Sequence, residues 1–422
     1  MPLTIAPAPR NFSGTYEVPG DKSISHRAVM LGSLAQGVTE VSGFLTGEDC
    51  LSTIACFRAL GVEIAQHGTN VRVEAGPLRA PSQVLDVGNS GTTLCLMTGL
   101  LAGQPFQSTL TGDASIQKRP MGRVVAPLSQ MGAKISGNLA PVTVTGTPLT
   151  GMTYTLPVAS AQVKSAILLA GLHAAGETRV TEPVPTRDHT EIMLAHLGAD
   201  IHRETSNTIV VRRSQLTARP LSVPGDISSA AFLLAVACIF PGTDLRIQNV
   251  GVNPTRTGII HVLRRMGARI TLENERTICG EPVADLHIVH QPLRGTDIAG
   301  DEIPTLIDEI PILAAVAMFA EGKTTVRDAE ELRVKEVDRI QVVANEFNAF
   351  AAGRALPIIP REDGMEITGG LPLTGATVHS RGDHRLAMSL SIIAMALQPP
   401  SILENSACAN VSFPGFYQML RL

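Results

Sequence analysis

Lys22, Ser23 and Arg27 stand at the head of a run, 23–35, that is rich in small residues and otherwise almost free of charge. Asn89, Ser90 and Gly91 open a second such run at 90–102, and Ser160, Ala161 and Gln162 a third at 160–174. Ser228 opens a fourth at 228–239, Asp308 and Glu309 a fifth at 309–320, and Asp383, His384 and Arg385 a sixth at 384–397. Each run is long and apolar enough to form a buried helix. A helix start presents unpaired N–H groups and the positive end of the dipole, so it favours anions. Ser and Asn at such positions also serve as N-caps, which is the reading for Ser228. Capping leaves Lys22, Arg27 and Arg385 unexplained, because the start of a buried helix is a costly place for an unpaired cation.

Three further clusters concentrate charge. Lys118, Arg119 and Arg123 lie in a segment, 112–123, that leads into a helix, and 187–191 reads Arg-Asp-His-Thr-Glu before another. The segment 330–339 is a charge run in a chain with only 17% charged residues. Such a run usually marks a solvated helix face. Here Lys335 and Arg339, spaced i, i+4, would share a face, with Glu336 next to Lys335 in sequence. Two cations with adjacent carboxylates can hold an anionic substrate and move a proton. Other chemistries find no support. Gly322-Lys323-Thr324 resembles the end of a P-loop, but Ala317 stands where its first glycine belongs, and the segment follows a helix instead of opening one. There is no G-x-S-x-G elbow and no H-E-x-x-H. His189 and His196 have no third partner, so surface or capping roles are expected.

The elements that must carry these residues repeat. An apolar-Gly-x-x-Ile phrase recurs around Gly61, Gly132, Gly198 and Gly267, at intervals of 71, 66 and 69 residues. Each copy is preceded by a helical pattern and followed by short alternating runs. The six buried helices keep nearly the same beat, starting 67, 70, 68, 81 and 75 residues apart. Val18-Pro19-Gly20-Asp21 returns as Val223-Pro224-Gly225-Asp226, an offset of 205 residues, or three periods. Six copies of one βαβ-rich unit, three in each of two domains, follow from this arithmetic. Parallel helices in each domain would let their starts converge on an anionic ligand.

Composition narrows the function class. With 34 Lys and Arg against 38 Asp and Glu, three Tyr and no Trp, the 422-residue chain is no nucleic-acid binder. The 38 Gly and 28 Pro in an apolar chain point to many short elements joined by tight turns. Six cysteines without CxxC or zinc-ligand spacing read as mostly buried thiols in a reducing compartment. The first ten residues lack a leader pattern, and apolar stretches such as 230–240 fall short of a membrane span. A cytoplasmic monomer without a membrane or nucleic-acid partner is expected.

Pro19–Ala28, Gly88-Asn89-Ser90-Gly91-Thr92, Arg119-Pro120-Met121, Arg333–Arg339 and Gly382–Met388 resemble the motifs of the 3-phosphoshikimate 1-carboxyvinyltransferase (EPSP synthase) family, in family order and over nearly the whole chain. The resemblance implies an α/β fold of two inverted, barrel-like domains, each with three βαβαββ units and buried helices inside. It places residues 20–224 in one domain and 1–19 with 225–422 in the other. It implies transfer of the enolpyruvyl group of phosphoenolpyruvate to the 5-hydroxyl of shikimate 3-phosphate, with no metal or cofactor and with domain closure. Carried over by motif, Lys22, Ser23, Arg27, Ser160, Ala161, Gln162, Arg187, Asp308 and Lys335 would bind shikimate 3-phosphate. Lys22, Asn89, Gly91, Arg119, Gln162, Arg339 and Arg385 would bind phosphoenolpyruvate. Asp308 would act as base, Glu336 would transfer a proton near the methylene carbon, and Lys335 and Lys22 would complete the catalytic set.

Leu94-Cys95, Glu331-Leu332, Val411 and 187–191 depart from the best-known form, and with 160–165 they resemble the family's second sequence class. A sister family, UDP-N-acetylglucosamine 1-carboxyvinyltransferase, carries a reactive cysteine before its Arg-Pro pair, and 113–118 holds none. A silent binding protein of this fold would have no reason to keep Lys22, Asp308, Lys335 and Glu336 together.

Overall fold

The computed structural model describes residues 2–8 and 12–422. Residues 1, 9 and 10 of the N-terminal segment read above for a leader, and residue 11 after it, lie outside the described residues.

The runs of small apolar residues become helices Lys22–Gly32, Gly91–Ala102, Ala161–Gly171, Ile227–Ile239, Ile310–Phe319 and His384–Met395, each buried along most of its length. Small side chains let them pack backbone against backbone. A Cβ placed on Gly99 would lie 2.1 Å from the Ala166 carbonyl oxygen, so the second and third helices meet at that glycine. The chain forms two compact units. One comprises Gly20–Val223 with Thr277–Glu281, and the other Met1–Pro19, Pro224–Arg276 and Pro282–Leu422. Residues 277–281, which the sequence assigns to the second domain, thus group with the first. Each unit has its own continuous apolar core.

Small mixed sheets surround the helices with one recurring strand order. In the first unit Leu85–Asp86 runs parallel to Gln107–Thr111, which pairs antiparallel with Val142–Thr145 and that in turn with Lys134–Ser136. Thr153–Thr155, Glu177–Thr181, Thr208–Arg212 and Ile201–Thr205 repeat the pattern. In the remaining sheet the parallel edge strand is Leu221–Ser222, which returns beside Val38–Ser42. The second unit borrows its corresponding edge from the N-terminal side, where Ser13–Glu17 lies parallel to Asp244–Gly251. Its last sheet is reduced to three strands, Leu3–Ile5, Ser401–Glu404 and Thr377–His379. Strand alternation follows the pleat: Val71 and Val73 point to the core and their neighbours to the surface.

The second helix series appears as Glu48–Ala59, Gly122–Gln130, His189–His196 and Gly258–Met266. Gly61, Gly132, Gly198 and Gly267 follow them with φ of +90°, +99°, +88° and +113°, a region that disfavours any side chain. That requirement explains the recurring phrase. The series continues without the phrase in Arg339–Asn348, and its sixth place is taken by two short pieces, Ser406–Val411 and Phe416–Leu420. Among the described residues no helix is long and apolar enough to cross a membrane.

Candidate functional site

The predicted residues of the first unit gather at three buried-helix starts. Asp21 caps the first helix, accepting from the Ile24 N–H at 2.9 Å, and so sets Lys22 and Ser23 in its first turn. Lys22 Nζ donates to Asp49 Oδ2 at 3.0 Å. Ser23 Oγ accepts from Arg187 Nη1 at 2.7 Å. Arg27 is 3% exposed and donates to Thr190 Oγ1 at 2.7 Å, the Ser23 carbonyl at 3.0 Å and Ser165 Oγ at 2.9 Å. All three acceptors are neutral. Burial, with the nearby charge of Arg187, lowers its guanidinium pKa to about 10. An added anion would oppose both effects.

Asn89, Gly91, Arg119 and Gln162 form a second patch. Asn89 Nδ2 donates to Asp113 Oδ2 at 2.5 Å, while Asp113 Oδ1 accepts from the N–H groups of Ser115 and Ile116. One carboxylate thus orders both Asn89 and the loop that leads to Arg119. A Cβ on Gly91 would fall 2.4 Å from Arg119 Nη1, so the guanidinium lies directly over this glycine. Ser160 caps the third helix through Val163 N–H, leaving Ala161 as its first residue. Gln162 bridges to the second helix, donating to Thr92 Oγ1 at 3.3 Å and accepting from Cys95 Sγ at 3.6 Å. A buried chain joins the two patches. His26 Nδ1 meets Thr53 Oγ1 at 2.7 Å, Thr53 meets Thr93 at 2.7 Å, and Thr93 donates to Ser90 Oγ at 2.7 Å. Burial, then the charges of Lys22 and Arg27, push the His26 pKa well down, so the ring is neutral at pH 7.

The second unit builds its cluster around Asp308. Arg339 Nη1 lies 3.6 Å from this carboxylate, Lys335 Nζ 3.9 Å and Arg385 Nη2 4.0 Å. Each cation is fixed by a further carboxylate. Arg339, 1% exposed, donates to Asp383 Oδ2 and Glu336 Oε2, both at 2.7 Å. Burial acts to lower its pKa, but Asp383, Glu336 and Asp308 outweigh burial and the pKa is raised. Lys335 Nζ donates to Glu331 Oε1 at 3.0 Å, and Arg385 Nη1 to Glu309 Oε1 at 3.4 Å. Asp383 also caps the last buried helix through the N–H groups of Arg385 and Leu386.

Three expectations are corrected here. Lys335 and Arg339 do not share a helix face: 330–334 is a short 3-10 turn, Lys335 is extended, and the helix begins at Arg339 behind its cap Asp338. They meet at Asp308 through that change of direction. Ser228 is not the N-cap of the fourth helix. Asp226 is, and the Ser228 hydroxyl donates to buried Glu309 while accepting from Arg256 at 2.6 Å. His189 is buried, not on the surface, with Nδ1 2.7 Å from Glu281 Oε1. Among the residues that departed from the best-known family form, Glu331 holds Lys335, Cys95 donates to Gln162 and Leu332 is core. Asp49, Glu309 and Asp383 carry the site as well.

Comparison with known proteins agrees on one family. The family model described as EPSP synthase (3-phosphoshikimate 1-carboxyvinyltransferase) matches residues 7–420. A protein of Brevibacillus brevis named 3-phosphoshikimate 1-carboxyvinyltransferase is 52% identical over 418 residues, 97% of each chain. One of that name from Desulforudis audaxviator is 53% identical over 428 residues, covering 100% of this chain and 99% of its own. The solved EPSP synthase of Acinetobacter baumannii aligns with a TM-score of 0.87 at 45% identity, covering 100% of this chain and 97% of its own. The enolpyruvyl transferase NikO of Streptomyces tendae shares the fold, with a TM-score of 0.81 at 19% identity and coverage of 100% and 97%.

Proposed function

The chain belongs to the EPSP synthase family, and from that premise we propose that it transfers the 1-carboxyvinyl group of phosphoenolpyruvate to the 5-hydroxyl of shikimate 3-phosphate, releasing phosphate in aromatic biosynthesis. The observation that carries this reading is the Asp308 carboxylate within 4.0 Å of Lys335, Arg339 and Arg385, with Glu336 bound to Arg339.

In this reading the substrates' carboxylates and phosphates take over the cations that now hold Asp308, whose oxygens then become available as a base. A proton from Lys335 or Glu336 reaches the methylene carbon of phosphoenolpyruvate, and C2 becomes electrophilic. The 5-hydroxyl attacks C2 while Asp308 takes its proton, giving a tetrahedral adduct. The group that gave its proton then takes one back from the methyl, which restores the double bond as the C2–O bond breaks and phosphate departs. Opposite proton transfers at adjacent atoms need an acid and a base whose environments differ. Arg339 and Arg385 neutralise phosphoenolpyruvate from the second unit, and Lys22, Asn89, Gly91, Arg119 and Gln162 from the first. Ser23, Arg27, Ser160, Ala161, Gln162 and Arg187, with Lys22, Asp308 and Lys335, receive shikimate 3-phosphate. Guanidinium forks suit these carboxylates and phosphates.

Because the proposed roles draw on both units, the reading includes closure of the two domains on the substrates. It also includes a monomeric, cytoplasmic enzyme. The test is phosphate release by the pure protein, expected when both substrates are present and absent when either is omitted. No release with both would refute it.

A further inference from the structure

Lys164 is the fourth residue of the helix Ala161–Gly171, and its side chain has no solvent exposure. Its ammonium donates to Glu182 Oε1 at 2.9 Å and to the Thr186 carbonyl at 3.2 Å, and pairs as an ion with Glu191 Oε1 at 2.7 Å. Two hydrogen bonds and two carboxylate neighbours enclose the ammonium. Glu182, also without exposure, accepts at its other oxygen from the Thr186 N–H at 3.0 Å and from the Thr186 hydroxyl. Residue 186 is thereby gripped through both backbone groups, the N–H by Glu182 and the carbonyl by Lys164. The next residue is Arg187, whose Nη1 reaches Ser23 Oγ at 2.7 Å.

The neighbours of Lys164 and Glu191 serve Arg27 in the same way. Ser165 Oγ and Thr190 Oγ1 lie 2.7 Å apart and both accept from the Arg27 guanidinium. Two sequence-adjacent pairs, 164–165 and 190–191, therefore join the third buried helix to the segment that bears Arg187. A buried ion network is a poor way to gain stability, since apolar side chains of equal volume fill a core at least as well. What it does supply is one fixed arrangement of the groups it touches.

We propose that Lys164, Glu182 and Glu191 are positioning residues that hold the 182–191 segment so that Arg187 and Arg27 are set for the phosphate-bearing substrate. The inference rests on the proposed reaction, from which these three residues are otherwise absent. They touch no substrate in this scheme and act through Arg187 and Arg27.

Lys164→Met keeps the length and removes the charge, while Glu182→Gln keeps an oxygen for Thr186 and replaces the carboxylate. Each variant is compared with wild type in steady-state phosphate release and in calorimetric binding of shikimate 3-phosphate alone. The expected result is a rise of tenfold or more in both KM and Kd for shikimate 3-phosphate in Lys164→Met, and a smaller rise, about threefold, in Glu182→Gln, with KM for phosphoenolpyruvate within twofold of wild type. A selective change of KM marks lost ground-state binding, which a general loss of packing does not produce. Equal changes in both KM values, or unchanged shikimate 3-phosphate binding beside a lower melting temperature, would overturn the proposal. If Lys164→Met does not fold, Glu182→Gln decides by the same criteria. Failure of wild type to bind shikimate 3-phosphate would remove the functional reading and the proposal together, whereas wild-type binding with unaltered variants would remove the proposal alone.

Discussion

Replacing Gly91 by alanine isolates one contact of the proposed phosphoenolpyruvate patch. Gly91 is the first residue of its helix and its φ is not in the left-handed region, so alanine suits the backbone and gains up to about 1 kcal/mol in helix propensity. The new methyl carbon would lie 2.4 Å from Arg119 Nη1 and 3.5 Å from the Arg119 Cζ. An ordinary contact needs roughly 3.4–4.0 Å, so the guanidinium must withdraw by about 1 Å. Because the clashing atom is the end of a flexible side chain, the fold can accept this shift. A misplacement of that size can cost about 100-fold when it affects a substrate-positioning group. Arg119 is one of several proposed cations, so a rise of about 5- to 50-fold in KM for phosphoenolpyruvate is expected, equivalent to about 1–2.3 kcal/mol. The KM for shikimate 3-phosphate and the melting temperature should stay near wild type. Phosphate-release kinetics at saturating levels of the second substrate measure this directly. An unchanged KM for phosphoenolpyruvate would refute the placement of Arg119 over Gly91 as a binding contact.

Three further outcomes are expected. Glu336→Gln and Lys335→Ala should each lower kcat by about 10²- to 10⁴-fold, the usual worth of general acid–base catalysis, with thermal unfolding little altered; full turnover in both would remove the proton-transfer assignment. Gly99→Ala sets a methyl 2.1 Å from the Ala166 carbonyl, where neither backbone can yield easily, and should cost at least about 1–3 kcal/mol; differential scanning fluorimetry would read it as a melting temperature lower by several degrees. His26 has a folded-state pKa well below its ordinary 6.5, from burial first and then from Lys22 and Arg27, so the unfolded chain takes up its proton first as pH falls. Stability should therefore be full above about pH 6.5 and decline below it, by up to about 1.4 kcal/mol per pH unit, until the folded pKa is reached. Urea titrations at pH 7.5 and 5.5 should show that decline reduced in His26→Gln, and an identical decline in both proteins would contradict the assignment.

Much of this architecture was legible because its two strongest constraints act locally. A helix that must end in a left-handed residue demands glycine, so Gly61, Gly132, Gly198 and Gly267 recorded the repeat. A helix buried on all sides admits almost no charge, so the six apolar runs recorded the core. Arg339–Asn348 escaped the first signal because neither Ala349 nor Phe350 after it takes a positive φ, so no glycine is required. The site was legible where cations stand against an apolar background. It was illegible where long-range partners decide a role: Ser228 looks like a cap until Glu309 is seen 81 residues away, and His189 looks exposed until Glu281 is seen 92 residues away. Lys164 was the missed opportunity, since an ammonium between Val163 and Ser165 in a buried helix already requires a buried carboxylate somewhere in the chain.

The same pairing logic explains how a chain with a net charge of −4 can serve small anions. In the second unit every proposed cation already has carboxylate neighbours: Asp383, Glu336 and Asp308 for Arg339, Glu309 and Asp308 for Arg385, Glu331 and Asp308 for Lys335. An arriving carboxylate or phosphate does not meet bare charge there. It competes with Asp308, the partner shared by all three cations, while Asp383, Glu309 and Glu331 keep the cations in place. Binding is then an exchange of one anion for another, with little cost in reordering side chains. Arg27 in the first unit differs, because its three acceptors are neutral and its pKa is lowered to about 10. Carboxylates of Glu191, Asp21 and Glu281 act on Arg27 only through space, so a dianion beside it would supply a direct charged acceptor. The two clusters therefore suit different tasks: the one at Arg27 favours lasting attraction of a phosphate-bearing ligand, and the one at Asp308 favours a carboxylate whose freedom to take a proton depends on the substrate being bound.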